Sequence, residues 1–254
     1  MMFERVFSVP YYGLGVNDRV KAGLILQFFQ ETAASHADAV GIGVADLLKR
    51  GITWVLRRYR VKVHSYPGMG DLTVRTWFEP RRNLVSVRVF EILDSAGCLV
   101  ADAWSGWIVV DLKRGRPVRL DRALPDEYFA RAEPTGDDVD DEMKPVAEDF
   151  DLERGFRVRR QELDLNGHTN HTVYFEWAME SVPDCDVEGA EPVEFDAEYR
   201  VPVKREEVIV RTRRTSESPL QYAHSVFIKG SGVEAARLST VWAKPSIDRT
   251  ASVQ

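Results

Sequence analysis

The sequence predicts an α+β fold that is built twice, with each half consisting of a helix followed by a run of antiparallel strands. Two observations lead to this prediction: landmark residues recur in the same order in both halves, and each half passes from helical to strand periodicity. Tyr59-Arg60-Val61 recurs as Tyr199-Arg200-Val201 after 140 positions, and Trp107 recurs as Trp242 after 135. Because the separation shrinks while the order is kept, we interpret the pattern as a duplication.

The helix of each half is predicted from apolar residues at helical spacing. Leu24 and Phe28 form such a stripe in the first half, and Val173 and Trp177 form one in the second. Proline does not continue a helix, so Pro183 is expected to end the second one.

The strands are predicted from segments that alternate apolar and polar residues or are rich in valine, threonine and aromatic residues. Four segments follow each helix, and a sheet of this kind packs its apolar face against a helix. The segments are residues 54–63, 71–78, 84–93 and 98–111 in the first half, and 193–203, 207–214, 221–229 and 233–243 in the second.

The composition of the 254 residues is that of a globular protein, and it excludes several classes. A net charge of −6, from 34 Lys and Arg against 40 Asp and Glu, gives no indication of nucleic-acid binding. The first ten residues contain no apolar signal region and the longest apolar runs are too short to cross a bilayer, so we expect a cytoplasmic protein that does not bind membranes. Cys98 and Cys185 lack metal-type and redox-type spacing, which favours a reducing compartment.

The residue types that acyl hydrolysis needs are concentrated in one short segment. Asp164, Asn166 and His168 offer a carboxylate, an amide and an imidazole at alternate positions, and they would point the same way if the chain is extended there. These groups include a base and a hydrogen-bond donor for a carbonyl oxygen, and the following helix would direct its N-terminal amides at developing negative charge. The same residues are common in turns, and Asn166-Gly167 is a frequent turn dipeptide, so a purely structural turn remains open.

A family resemblance adds to this interpretation. Residues 163–170, which read Leu-Asp-Leu-Asn-Gly-His-Thr-Asn, resemble the second-half signature of plant and bacterial acyl-ACP thioesterases. Residues 54–61 and 104–111 resemble strands in the first half of that family, and the similarity extends over about residues 3–244. The resemblance implies a double hotdog fold, in which two antiparallel sheets are each wrapped around a long helix.

The domain boundaries expected for such a fold follow the duplication and the composition. The four segments are an N-terminal hotdog repeat at residues 1–132, an acidic linker at 133–151, a C-terminal repeat with the candidate motif at 152–246 and a tail at 247–254.

The resemblance also implies an activity, which is hydrolysis of fatty acyl-ACP without a metal or an organic cofactor. The reaction releases free fatty acid and thereby ends or diverts fatty acid synthesis. The catalytic residues of the family fall on Asp164, Asn166 and His168. Asn166 would bind the thioester carbonyl or the water and His168 would transfer protons, while Asp164 would either orient His168 or act directly on the acyl carbon.

The sequence departs from the family at one place. Plant members carry a Glu-Cys pair after the strand that corresponds to residues 198–200, and here those positions are Pro202 and Val203. A thiolate nucleophile is therefore excluded at this position. Either the three motif residues suffice with water, or Glu198 or Glu194 on the same strand contributes a carboxylate.

Two further residues are weighed as site members. His171 lies three positions after His168, and a capping or surface role is expected for it rather than metal binding. Asn17 occupies the matched place in the first half, where the histidine is missing, so that half is expected to be catalytically silent and to help enclose the acyl chain.

The expected partners are a fatty acyl thioester and acyl carrier protein, with a homodimer as a further possibility. Because acyl carrier protein is acidic, a basic docking surface is expected. The alternatives are an acyl-CoA thioesterase, a hotdog hydratase and a non-catalytic acyl-binding protein. The candidate docking pairs are Arg57-Arg58, Arg81-Arg82, Lys113-Arg114 and Arg213-Arg214.

Overall fold

The structure is a computed structural model that describes residues 2–79, 84–129, 142–146 and 149–244. Arg81-Arg82, most of the acidic run at 137–142 and the predicted tail lie outside the described residues.

The described chain contains five α-helices and eleven strands. The helices are α1 (Ala22–Ala39), α2 (Val44–Lys49), α3 (Leu120–Ala123), α4 (His171–Glu180) and α5 (Asp184–Val187). The strands are β1 (Phe3–Ser8), β2 (Ile52–Val63), β3 (Asp71–Glu79), β4 (Val85–Leu93), β5 (Leu99–Asp111), β6 (Arg116–Val118), β7 (Leu152–Arg157), β8 (Glu191–Tyr199), β9 (Glu207–Glu217), β10 (Leu220–Ile228) and β11 (Glu234–Ala243).

The strands form one antiparallel sheet, and this corrects the expectation of two separate sheets. Its order is β1-β3-β4-β5-β2-β8-β11-β10-β9-β7, with the short β6 on β5. The halves are joined because β2 pairs with β8, from Arg58 opposite Glu198 to Lys62 opposite Glu194. A large antiparallel sheet with few helices fits the predicted α+β class.

The two halves contain the same elements in the same order. From the edge inward, the sheet order 1-3-4-5-2 of the first half is repeated as 7-9-10-11-8 in the second. The landmark tryptophans also correspond, since Trp107 Nε1 donates to Ser105 Oγ at 2.7 Å and Trp242 Nε1 donates to Thr240 Oγ1 at 3.0 Å. The second central helix is shorter than expected, with 10 residues in α4 against 18 in α1.

The apolar core lies between the two central helices and one face of the sheet. α1 buries Ile25, Leu26 and Phe29 completely, and Phe175 of α4 packs against Phe195 of β8 with ring centroids 5.2 Å apart. The two helices belong to one continuous core cluster. This packing holds the start of α4, where the candidate segment ends, in a fixed place against the first half.

No helix in the described part of the chain combines the length and the apolar character that crossing a membrane requires.

The junction of the halves is braced on the face of the sheet that turns away from the helices. Asp196 accepts hydrogen bonds from Arg58 Nε at 2.6 Å and Arg58 Nη2 at 2.7 Å, and Arg60 donates to the same carboxylate. The side chains of Arg58 and Asp196 are only 9% and 14% exposed. Arg58 is thus committed to the fold, which corrects its assignment to a docking pair.

Asp196→Ala is expected to lower the free energy of unfolding by about 3 kcal/mol, because it removes the two hydrogen bonds that this carboxylate accepts from the buried Arg58 guanidinium. Urea unfolding followed by circular dichroism measures this change. Lys62→Ala is the matched control at the same junction, since its pair with Glu194 is exposed and 3.9 Å long, and it should cost below about 0.5 kcal/mol. Equal losses in the two variants would contradict the bracing role.

Candidate active site

The candidate motif forms a closed turn and not the extended segment in which Asp164, Asn166 and His168 would all point the same way. Leu163 and Thr169 form an antiparallel bridge, Asp164 N donates to His168 O at 2.7 Å, and Gly167 N donates to Asp164 O at 3.0 Å. Gly167 has φ +72°, a conformation that glycine adopts without steric cost. The turn preference of Asn166-Gly167 thus decides the local structure, and we call residues 163–169, which contain the candidate catalytic residues, the catalytic loop.

The carboxylate of Asp164 has two distinct oxygens. Oδ1 accepts hydrogen bonds from Asn166 N at 2.8 Å and His168 N at 3.0 Å. Among the described residues, Oδ2 accepts no hydrogen bond from the protein. One oxygen therefore holds the loop in shape, and the other is available to a bound molecule.

The side chains of Asn166 and His168 are also available. Asn166 is exposed and His168 is half-buried. Within the part of the chain that the structure describes, neither side chain hydrogen-bonds to another residue. The loop therefore presents three polar groups whose hydrogen-bonding capacity is not used by the fold.

The loop leads directly into the N-terminus of α4. Asn170 caps this helix, because its Oδ1 accepts from Thr172 N at 3.0 Å, and its Nδ2 donates to Gln30 Oε1 on α1 at 3.2 Å. A groove of about 480 Å³ lies between the two helices, and Gln30, Asn170 and Glu176 are part of its lining. The N-terminal dipole of α4 favours negative charge close to the loop.

His171 does not cap α4, and its half-buried ring packs at the junction of the halves, which corrects the expectation of a capping or surface role. It is the first residue of α4, and its ring lies against Tyr59 of β2 and Tyr199 of β8 with centroid distances of 5.5 and 6.2 Å. Burial lowers the pKa of the His171 imidazole to about 4. The ring is therefore neutral near pH 7 and packs as an aromatic side chain at the junction of the halves.

Glu198 is not brought together with the loop residues. Successive residues of a strand point to opposite faces, and the neighbouring Tyr199 contacts α4. The Glu198 carboxylate is buried on the other face, where it accepts from Met143 N at 2.9 Å and Arg200 Nη1 at 2.8 Å. Glu194 lies on that outer face too, exposed beside Lys62. Both carboxylates serve contacts of the sheet rather than the loop.

Comparison with known families gives the loop its context. Residues 1–130 match the family model described as the acyl-ACP thioesterase N-terminal domain, and residues 145–244 match the acyl-ACP thioesterase C-terminal domain. The chain belongs to the acyl-ACP thioesterase family. It is a thioester hydrolase.

Curated relatives of this thioesterase include plant enzymes. The chain is 25% identical to oleoyl-acyl carrier protein thioesterase 1, chloroplastic, of Arabidopsis thaliana, with 96% of this chain and 76% of that protein aligned. It is 28% identical to the chloroplastic dodecanoyl-[acyl-carrier-protein] hydrolase of Umbellularia californica, with 95% and 68% aligned.

Two solved structures show the same fold as this thioesterase. An acyl-ACP thioesterase from Bacteroides thetaiotaomicron superposes with a TM-score of 0.83 at 22% identity, covering 95% of this chain and 98% of the other. The 12:0-ACP thioesterase of Umbellularia californica gives 0.82 at 24% identity, covering 96% and 94%.

Of the two positions where this thioesterase departs from the Glu-Cys pattern, Pro202 and Val203, the second lies against the catalytic loop. Val203 O accepts from Thr169 N at 2.7 Å, and Val203 N donates to Tyr174 Oη at 3.3 Å. Val203 is fully buried and has no titratable group. Cys98 and Cys185 are both exposed, in the β4–β5 turn and in α5. No thiol of this chain therefore takes the place of the missing cysteine beside the loop.

The first half of the thioesterase contains the same loop with different side chains. Leu14 and Val20 form the equivalent bridge. Asp18 occupies the position of Gly167 and also has a positive φ, of 58°. Asn17 stands where Asn166 does, but its Nδ2 donates to Glu191 Oε1. Gly15 and Arg19 occupy the positions of Asp164 and His168, so this loop has no carboxylate at the Asp164 position and no imidazole at the His168 position.

Proposed function

We propose that this thioesterase hydrolyses fatty acyl-ACP with water at the catalytic loop and releases free fatty acid and the thiol form of acyl carrier protein. The observation that carries this proposal is the Oδ2 of Asp164, which accepts no hydrogen bond from the residues that the structure describes and stands on a hydrogen-bonded turn beside Asn166 and His168. The family membership and the names of the plant relatives support the carrier-bound fatty acyl group as the substrate.

The proposed reaction assigns each group a step. The base removes a proton from water, and the hydroxide oxygen adds to the thioester carbon. The Asn166 amide donates to the carbonyl oxygen as it gains negative charge, with help from the dipole of α4. The C–S bond then breaks, and His168 returns the proton to the leaving sulfur. Asp164 has two candidate roles in hydrolysis. In the scheme above it orients His168 as the base. In the alternative its carboxylate attacks the acyl carbon and expels the carrier thiolate, which His168 protonates, and water then hydrolyses the acyl anhydride on Asp164 to free fatty acid and aspartate.

The finer architecture belongs to the same proposal. We infer a double hotdog in which the sheets of the two repeats, at residues 1–132 and 152–246, are joined edge to edge into one sheet, with the acidic segment 133–151 linking the repeats in sequence. The repeated sheet order and the β2–β8 junction support this arrangement. The first repeat is proposed to be catalytically silent and to enclose the acyl chain, because its loop has no carboxylate at the Asp164 position and no imidazole at the His168 position.

The cytoplasm is the proposed compartment. Cys98 and Cys185 are both exposed as free thiols. Exposed free thiols are typical of proteins that work in reducing surroundings.

Removal of both thiols tests the water-based reaction. Cys98→Ser/Cys185→Ser should release fatty acid from acyl-ACP with kcat within about twofold of wild type, since a site of general acid–base type needs no thiolate. Product fatty acid is measured by mass spectrometry across a series of acyl chain lengths. An inactive double variant that remains folded would refute the cysteine-free mechanism, and tight binding without turnover by wild type would favour an acyl-binding protein.

A further inference from the structure

Four exposed cations lie in the segments that flank the catalytic loop. They are Arg157, Arg160, Lys204 and Arg205, and we call them the basic rim. Within the described residues, none of the four forms an ion pair. Many other arginines of the second half are paired with carboxylates, for example Arg211 with Glu153.

Backbone hydrogen bonds hold the basic rim beside the loop. Val203 O accepts from Thr169 N at 2.7 Å, and Glu206 O accepts from Val158 N at 3.0 Å. Lys204 and Arg205 lie between these two bonds, so they are fixed between the loop and the end of β7. Residues 203–206 contain one acidic side chain, that of the exposed Glu206. The four cations of the basic rim outnumber it, so the net charge of this surface is positive.

The equivalent segments of the first half show that the fold does not require the cations. In the first half, Pro67 O accepts from Val20 N at 2.8 Å and Gly70 O accepts from Val9 N at 2.9 Å, which repeats both bonds. The positions equivalent to the basic rim contain no cation. In the order used above they are Ser8, Tyr11, Gly68 and Met69.

We propose that the basic rim is the surface on which the acidic carrier protein docks when it delivers the acyl group to the catalytic loop. This inference rests on the proposed function. The chain has a net charge of −6, so two acidic proteins repel each other at long range and a local cationic surface has to select the productive orientation. Cations occupy these four positions only in the copy of the loop that carries Asp164 and His168, which is where the thioester must arrive.

The docking pairs expected from sequence are less suited to this role. Arg213 pairs with Asp149 and Arg214 with Glu217, so both are engaged in part. Lys113 and Arg114 are exposed in the turn between β5 and β6. They therefore make a second candidate surface that the same experiment separates from the basic rim.

Charge reversal at the rim tests the proposal. The rim variant is Lys204→Glu/Arg205→Glu. Two control variants make the same charge change elsewhere: Lys113→Glu/Arg114→Glu in the β5–β6 turn, and Arg19→Glu/Lys21→Glu at the equivalent loop of the first half. Arg157→Glu/Arg160→Glu serves as an independent rim variant, and circular dichroism establishes that each protein folds. The three substrates are acyl-ACP, acyl-CoA and acyl-pantetheine with one acyl group. Acyl-CoA carries phosphates without the protein, and acyl-pantetheine carries neither.

The rim variants should lower the ratio of kcat/KM for acyl-ACP to kcat/KM for acyl-pantetheine by about 10- to 100-fold at low salt, with a smaller effect at high salt. The variants at the other two places should keep the wild-type ratio. An equal ratio in all variants overturns the proposal, as does a fall confined to Lys113→Glu/Arg114→Glu. An equally large fall with acyl-CoA also overturns it, since the rim would then bind phosphate.

Failure of the proposed function gives a different result. In that case wild type hydrolyses none of the three substrates. The docking surface is then tested by comparing the equilibrium affinity of wild type and of the rim variants for acyl-ACP. The same charge reversal should weaken that affinity by about 10-fold or more, and an unchanged affinity overturns the docking surface.

Discussion

Asp164→Asn is expected to lower kcat for acyl-ACP hydrolysis by about 10²- to 10⁴-fold while the fold is retained. The asparagine Oδ1 still accepts from Asn166 N and His168 N, which stand 2.8 and 3.0 Å from the carboxylate oxygen. The loop therefore keeps its shape, but the side chain no longer holds a negative charge at the Oδ2 position. Steady-state release of free fatty acid measures the loss.

A second aspartate provides a matched control. Asp94 in the β4–β5 turn accepts from the amides of Ala96 and Cys98 with the same spacing along the chain, at 2.9 and 2.8 Å. Asp94→Asn should leave kcat within about twofold of wild type because no reacting group is placed there. If both variants lose activity equally, or if Asp164→Asn remains fully active, Asp164 is a turn residue and the assignment of the site is wrong.

His168→Ala is expected to lower kcat by about 10²- to 10³-fold, because it removes the group that carries protons between water and the leaving sulfur. The His168 side chain is half-buried and has no hydrogen-bond partner among the described residues, so its removal leaves the packing of the core unchanged. Added imidazole should restore part of the rate. Fatty acid release with and without imidazole is the measurement.

The neighbouring histidine separates a proton-transfer role from general damage to the site. His171→Phe keeps an aromatic ring between Tyr59 and Tyr199 and removes only a group that is already neutral near pH 7, since its pKa is lowered to about 4. This variant should keep the wild-type pH profile above pH 6, with no response to imidazole. A loss in His168→Ala that imidazole leaves unchanged would speak against proton transfer by His168.

Much of the fold can be predicted from local patterns, because long segments rich in valine and aromatic residues are recognisable as strands from sequence alone. The eight predicted strand segments correspond to β2–β5 and β8–β11, and Pro202 explains why β8 ends at Tyr199. The edge strands β1 and β7 were missed, since β7 reads Leu-Glu-Arg-Gly-Phe-Arg and is largely exposed. The joining of the halves into one sheet rests on the β2–β8 pairing, which is a long-range contact without a local sequence signal.

The candidate site was located by its residue types, but its geometry was not predictable in the same way. Alternate spacing suggested an extended chain, whereas Asn166-Gly167 closes a turn through the positive φ of Gly167. Glu198 was proposed from its neighbourhood in sequence, and strand alternation turns it to the opposite face. The basic rim was not found, because its members come from segments almost 50 residues apart that meet through the Val158 N–Glu206 O hydrogen bond and the β7–β9 pairing, which are long-range contacts without a local sequence signal.

The most direct measurement is the release of free fatty acid from purified acyl-ACP by the wild-type protein, assayed beside Asp164→Asn. The account predicts multiple turnovers by wild type, with equal amounts of fatty acid and carrier thiol formed, and only a small residual rate for the variant. Binding of acyl-ACP by wild type without release of fatty acid, or equal rates for the two proteins, would contradict it.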